Sequence, residues 1–385
     1  MTSFANIRLD EIKRDCRYYT GYKPCHRFDG CPDCPHYAPR GEQILIIKLG
    51  AMGDVLRTKA ILPGLKREHP TSWIVWLTEA GSESLARDPQ VDEVVTFNPA
   101  GLLQLEGRRF ARLICLDKDR HAVALAARIE ADRKQGFAPT EYNTISVWNE
   151  AAMYALRLGL SDELKYRINE KSMPQIVTEA CELPWIGDGY SLMLNDAMRA
   201  AADKRWREIL GARGQGKTVI GLNTGCGPVF ATKGWSLDRM KDFVELMRKR
   251  NDVVLMLLGG PREREIHREL MRVAGPDAGV RVFDSGNDNP LEFFFALVAK
   301  CSAVLTADSL ALHIAVALQV PVVSWFGPTC AQEIDLYGRG EKLVTDFACA
   351  PCYLKVCPKE VTCMESLSAQ AVADAMDRVL AASAS

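Results

Sequence analysis

Short, β-branched apolar runs recur along this chain, separated by longer stretches in which apolar residues return every three to four positions. Runs of the first kind fit buried parallel strands, and stretches of the second kind fit amphipathic helices. In the first half the pattern predicts strands at 44–48, 73–77, 93–96 and 113–116. Helices are predicted at 54–68, 81–87, 121–130 and 147–159, and residues 165–190, with Pro174, Pro184, Gly187 and Gly189, read as a connection. The second half repeats the scheme, with strands at 218–222, 253–258, 280–283, 303–306 and 321–325. Its helices are predicted at 197–210, 236–249, 262–273, 290–299, 309–318 and 368–382. Such alternation predicts two α/β domains, each a parallel sheet with helices on both faces.

Two of the runs end in glycine-rich turns. Ile44-Leu45-Ile46-Ile47 leads into Gly50-Ala51-Met52-Gly53-Asp54, and Val219-Ile220-Gly221-Leu222 leads into Asn223-Thr224-Gly225-Cys226-Gly227. A strand, a tight turn and a helix N-terminus together present free N–H groups to a phosphate or another anion. Two such units predict a ligand cleft between two nucleotide-type domains. The expected boundaries are 1–40 for a cysteine-rich segment, 41–185 for the first domain and 186–385 for the second.

Composition narrows the picture. A net charge of −1 gives no global attraction to nucleic acid. No apolar stretch is long enough to span a membrane, and residues 1–30 lack the apolar core of a signal peptide. A cytoplasmic location is therefore expected. The 13 cysteines include two tight groups, Cys16, Cys25, Cys31, Cys34 and Cys349, Cys352, Cys357, Cys363. Four thiolates suit tetrahedral zinc or iron, and the absence of a secretory signal argues against disulfides. The segment around the first group has little apolar content, so a metal is expected to order it. Cys115 and Cys301 read as small core residues.

Asp54 reads either as a first-turn acid of a helix or as a general base at the cleft floor. Its spacing favours the former. Lys233, just before a helix capped by Ser236, can reach a diphosphate held over Asn223, Thr224 and Gly225. Thr306-Ala307-Asp308-Ser309-Leu310 lies at a strand end opening a helix, where free N–H groups meet ligands. Asp308 reads equally as a cap or as a ligand for a sugar hydroxyl, and His313 reads as a structural hydrogen-bonding residue. Arg57, Lys59, Lys118 and Arg120 lie at predicted strand–helix turns, where they bind an anionic acceptor or form a solvated face.

The runs 44–58, 221–225 with 233–235, and 306–329 together resemble glycosyltransferase family nine, the ADP-heptose:lipopolysaccharide heptosyltransferases. They occur in family order. The resemblance implies a GT-B fold, with the acceptor on the first domain and the nucleotide sugar on the second. It implies inverting transfer with no catalytic cofactor or metal. It places Asp54 at the base position, Lys233 at the phosphate-binding lysine and Asp308, Ser309 and Leu310 on the donor loop. Glu263 or Glu265 falls near the acid that holds the adenosine ribose. Thr224 replaces a usual proline, and residues 116–121 depart from the family's acceptor-side pattern. The implied partners are ADP-heptose and an anionic saccharide or protein acceptor, with peripheral contact at the inner membrane compatible with that role. Structural zinc or iron is expected at the two cysteine groups. A transferase for another nucleotide sugar, a protein-directed transferase and a sugar-nucleotide epimerase are the alternatives among enzymes. An inactive transferase scaffold carrying a metal-binding interaction module is the alternative of another class.

Overall fold

The structure is a computed structural model that describes residues 7–214, 216–275 and 281–384. The first half opens with β1 (Gln43–Ile47), α1 (Met52–Thr58), α2 (Ile61–Glu68), β2 (Trp73–Thr78), α3 (Glu83–Ala86) and β3 (Glu93–Thr96). It continues with α4 (Pro99–Glu106), β4 (Arg109–Cys115), α5 (Arg120–Arg128), β5 (Glu130–Pro139), β6 (Ile145–Val147), α6 (Met153–Arg157) and α7 (Met173–Ala180). The strands pair in the order β3-β2-β1-β4-β5-β6, all parallel except the antiparallel β5–β6 pair.

The second half begins with α8 (Asp196–Leu210), β7 (Thr218–Asn223), α9 (Leu237–Met247), β8 (Val253–Leu258), α10 (Arg264–Ala274) and β9 (Val282–Asp284). Then come α11 (Leu291–Val298), β10 (Ala303–Ala307), α12 (Leu310–Ala317), β11 (Val322–Phe326), β12 (Gly340–Val344) and α13 (Ala369–Ala384). Its order, β12-β11-β10-β7-β8-β9, repeats that of the first sheet, with β12 parallel where β6 is antiparallel. In both sheets the chain reverses direction beside the first strand, between β1 and β4 and between β7 and β10. Open α/β sheets bind ligands outside the carboxyl ends of strands at such a switch point. Both predicted glycine turns lie there.

Burial follows the predicted runs. Every residue of β8 is buried, as expected for a strand covered on both faces. One apolar cluster runs through both halves, from Ile44 and Val55 to Val304 and Leu312. A second lies between the C-terminal sheet and α9, α10 and α13. A third fills the other face of the N-terminal sheet.

Several local expectations are corrected. The single helix expected over 54–68 is two helices, α1 and α2. Pro63 has no N–H to give the Lys59 carbonyl, which accepts instead from Leu62. The stretch 165–190 is more than a connection, because it holds α7, whose Ile176, Val177 and Ala180 are buried. The helix expected over 147–159 shortens to a 3₁₀ turn and α6. Strand 280–283 appears as β9, with residue 280 outside the described residues. No helix among the described residues is long and apolar enough to cross a membrane.

Candidate active site

A cavity of about 770 Å3 opens between the two sheets. Its floor on the first half is the β1–α1 turn with the end of β4, and its opposite wall is the β10–α12 turn with Phe230 and Lys233. The turn after β1 is held by Asp117. One oxygen of this carboxylate accepts from Leu49 N at 2.9 Å, Gly50 N at 3.2 Å and Lys48 Nζ at 3.1 Å. The pair is largely buried, so Asp117 fixes the turn with charge-assisted bonds.

Asp54 lies in the first turn of α1, whose N-cap is Ala51, so it is not the cap. Its carboxylate is 39% exposed into the cleft and pairs with Arg57 at 2.7 Å. Burial pushes its pKa up, but the Arg57 and Lys48 charges and the Arg57 hydrogen bond outweigh this and hold it below the usual value. Arg57 is favoured as the cation by Asp54, Glu333 and Asp308, against the cost of burial. Among the described residues its Nε has no hydrogen-bond partner, nor has Thr329 Oγ1 on the opposite wall. Such orphaned polar atoms in a cleft are places for ligand groups or water.

Gly53 brings the halves together. A Cβ there would fall 2.5 Å from Cδ2 of His313 on α12, so only glycine permits this approach. His313 Nδ1 lies 3.3 Å from the Tyr190 hydroxyl. Burial first, then Arg57, lowers its pKa to about 4, which makes it a neutral imidazole at neutral pH. The structural reading of His313 fits this environment.

On the second half, Lys233 Nζ lies 3.6 Å from Asp308, and Trp325 Nε1 donates to the Lys233 carbonyl at 3.2 Å. Ser309 is the N-cap of α12, and its hydroxyl is tied to Thr306 Oγ1 and Asn223 Nδ2. The free N–H groups of α12 therefore face the cleft beside Lys233. Asp308 is not the cap. Ser236 accepts from Arg239 N as the expected cap of α9.

Asp54, Arg57, Lys118, Lys233, Asp308, Ser309 and Leu310 all line the cavity. Asn223 and Thr224 lie behind it. Asn223 Nδ2 donates to Gly225 O and Thr306 Oγ1, and Thr224 Oγ1 lies 3.0 Å from His267 Nε2. Glu263 stands against Gly225 in the turn after β7 and accepts from Gly260 N, and neither it nor Gly225 lines the cavity. Lys59 lies elsewhere. Its ammonium is fully buried and donates to the Arg87 and Ser191 carbonyls, with Asp88 at 3.2 Å. A lysine at the C-cap of α1, still in helical conformation and two positions after Arg57, points away from the cleft by helical geometry. Arg120 opens α5 on the exposed surface and is not a cavity residue.

The sequence reading missed Lys48, Asp117, Lys165, Glu333 and Tyr353, all of which line the cavity. Lys48 and Asp117 carried a usable signal, since each follows the apolar run of a strand flanking the switch point. Lys165 and Tyr353 carried none. They meet only through long-range packing, with Lys165 Nζ 4.0 Å from the Tyr353 ring centroid and that ring stacked on Tyr166 at 5.3 Å.

None of the described cysteines is paired in a disulfide. The C-terminal four are neighbours: burial, then Cys352, Cys357 and Cys349, raise the pKa of Cys363. Cys16, Cys25, Cys31 and Cys34 border one small cavity. Among the described residues, no group of three or more His, Cys, Asp or Glu side chains is placed so that it could hold a metal ion.

Two α/β sheets of like strand order, with a cleft between their switch points, define a GT-B-type chain. Residues 192–362 match the family model of glycosyltransferase family 9 (heptosyltransferase). The lipooligosaccharide heptosyltransferase 2 of Campylobacter jejuni is 28% identical over 167 residues, 43% of this chain and 52% of that relative. The chain thus spans about half the length of that curated relative. The Haemophilus influenzae protein of the same name is 24% identical over 306 residues, covering 75% of this chain and 84% of the relative. The E. coli ADP-heptose LPS heptosyltransferase II structure superposes with a TM-score of 0.66 at 16% identity, over 89% of this chain and all of that one. This likeness shows the shared fold.

Proposed function

We propose that this chain transfers a heptose from ADP-heptose to a saccharide acceptor of the lipopolysaccharide core type, with inversion. One observation carries the reading: across a single cleft, an ionised carboxylate on the first domain faces a lysine and a helix N-terminus on the second. The relatives' names support heptose as the sugar, and the cleft supports the chemistry.

The acceptor hydroxyl approaches Asp54, which takes its proton as the acceptor oxygen bonds to the anomeric carbon. The bond from that carbon to the diphosphate breaks, and charge grows on the leaving oxygen. Lys233 and the N–H groups opening α12 stabilise that charge in place. Their positions support leaving-group stabilisation by the chain's own donors, without a catalytic metal. Lys48, Arg57, Lys118 and Lys165 surround the acceptor half of the cavity and suit an anionic saccharide. Lys118 donates to the Ala155 carbonyl at 2.9 Å, and burial, then Lys165, lowers its pKa. The neighbouring negative charge of an acceptor would raise it again.

The test is a mass-spectrometric turnover screen of nucleotide sugars, ADP-heptose first, followed by calorimetry of Lys233→Ala with ADP and with adenosine. We expect ADP-heptose to be consumed in the presence of a core saccharide, and the variant to lose affinity for ADP but not for adenosine. Preference for another nucleotide sugar would overturn the donor assignment. Equal loss for ADP and adenosine would overturn the role of Lys233.

A further inference from the structure

Residues 7–42 form no helix and no named strand, yet the segment follows a defined path. Its only ladder contact is the antiparallel bridge Cys16–Pro39. Arg17 N donates to Ala38 O at 2.7 Å, and Arg40 N donates to Asp15 O at 2.8 Å, closing the two ends of the segment on each other. Outside, it is pinned by Arg17, which pairs with Asp92 at 2.7 Å, and by the stacking of Arg17 and Arg40 on Trp73. Inside, there is almost no apolar core: Cys16 is its one buried hydrophobic residue, while Tyr22, Phe28 and Tyr37 are exposed. A segment of this size without a core needs a staple.

The centre of the segment is a cavity of about 20 Å3 bordered by Cys16, Cys25, Cys31 and Cys34. That is room for one water-sized guest. Three further features converge on it. Cys34 N donates to Cys31 O, so the Cys31-Pro32-Asp33-Cys34 stretch is a tight turn that brings two thiols to one side. Gly30, immediately before it, has φ +105°, a conformation that favours glycine. Arg27 N donates to Cys25 Sγ at 3.5 Å, an N–H aimed at sulfur of the kind that stabilises a thiolate. Lys13 and Arg27 also border the cavity and are the cations beside it, held over the Tyr37 and Tyr18 rings.

We infer that Cys16, Cys25, Cys31 and Cys34 form a structural site for one thiophilic divalent cation, zinc or ferrous iron. Four thiolates around a divalent ion leave a net charge of −2, which Lys13 and Arg27 offset. Soft sulfur ligands in tetrahedral number select zinc or iron over magnesium or calcium. The four thiols line a shared cavity but are not placed close enough to hold an ion as they stand, so binding has to draw them inward and orders the segment as it does so. The site is structural: its anchors, Asp92 and Trp73, belong to the edge of the first sheet, and none of the four thiols borders the transferase cleft.

The test uses the full chain, purified under reducing conditions without added metal, in three forms: wild type, Cys349→Ser with Cys352→Ser, and Cys31→Ser with Cys34→Ser. Elemental analysis should show one equivalent of zinc or iron surviving in the second form, and one equivalent fewer than wild type in the third. Cobalt(II) loaded into the second form should give sulfur-to-metal charge-transfer bands with tetrahedral d–d bands. A second readout needs no substitution in the first group. Stripping the second form with a mercurial and a chelator should open residues 7–40 to proteolysis before the rest of the chain. Metal content unaffected by Cys31→Ser with Cys34→Ser would overturn the site. So would cobalt bands of non-thiolate type, or segment protection that ignores metal removal. Which metal the protein retains decides between zinc and iron.

Discussion

Asp54 is held ionised by Arg57 and Lys48 against the effect of burial, so it is always in its base form at neutral pH but intrinsically weak. On the function proposed above, its strength as a base comes from the acceptor: a saccharide anion that draws Arg57 away leaves the carboxylate freer to take a proton. Asp54→Asn should keep the fold and ADP binding and lose on the order of 10²–10⁴-fold in transfer rate. Turnover near the wild-type level with saturated substrates would remove Asp54 from the mechanism. The direction of its shift also fixes a pH expectation. A lowered carboxylate pKa keeps the base form as pH falls, so Asp54 should produce no loss of transfer rate above the ordinary aspartate range of about 3.9. His313 reaches its charged form only near pH 4 and adds no loss at neutral pH either. An acid limb near pH 6, unchanged in Asp54→Asn, would have to come from the substrates or from another group. Lys59 makes the opposite point. It sits two residues from Arg57 in a turn that looked basic throughout, yet it is locked between Asp88 and two carbonyls. Lys59→Ala should destabilise the fold by about 3–5 kcal/mol, because it strands a buried Asp88. The surviving folded fraction should keep its acceptor KM, and a raised KM with unchanged denaturation midpoint would restore Lys59 to the site.

At the scale of elements, the two turns at the switch points do most to make the cleft, and both were legible because a buried strand ending in glycine is a strong pattern. The sheet strands with full apolar runs, such as β8, were legible for the same reason. What the pattern hid was set by tertiary contact. β5 is exposed or half-buried over its first five residues, Glu130 to Lys134, so it has no continuous apolar run to announce it. β12 alternates without burying fully. Helix α7 was masked by Pro174, which occupies the first turn of the helix, where its missing N–H costs nothing. Of the cleft residues, those in turns after strands could be placed from sequence, whereas Lys165, Glu333 and Tyr353 come together only through the docking of distant segments. The packing of α1 on α12 was equally unreadable, and it rests on one missing side chain. Gly53→Ala would put a methyl into the His313 ring, a buried group with little room to move. We expect a loss of about 1–3 kcal/mol, the usual range for overpacking, together with a disturbed Asp54 one residue on. His313→Ala in the same chain should relieve much of the stability loss, and additive losses in the double variant would show that the two residues do not meet.

For the whole molecule, the two halves share a strand order and face each other through the carboxyl ends of their central strands, so the cleft is a property of their pairing rather than of either half. They touch on both sides of the cavity. On one side Tyr337 donates to the Asp188 carbonyl at 3.2 Å, in the chain that links the sheets. On the other, the π-helical turn Leu164–Ile168 meets the C-terminal half. There Arg167 donates to the Ala348 and Ala350 carbonyls, each at 3.1 Å, and the Lys165 carbonyl accepts from Gln332. These contacts tie the segment carrying Cys349 and Cys352 to the first half and place Tyr353 in the cavity wall. Beside these polar contacts the halves share an apolar cluster, and the transfer proposed above, which must exclude water from the anomeric carbon, has use for a closed form. Arg167 lies outside the cavity lining, so its removal tests the clasp without touching the chemistry. Arg167→Ala should weaken the closed arrangement by roughly 1 kcal/mol, the usual worth of a hydrogen bond. At that size the apparent affinity for both substrates falls about fivefold, with the rate at saturation little changed. Small-angle scattering should report a larger radius of gyration for the variant at equal thermal stability. Unchanged scattering together with unchanged affinity would mean that the two halves are held by the apolar cluster they share, and that the clasp contributes nothing to closure.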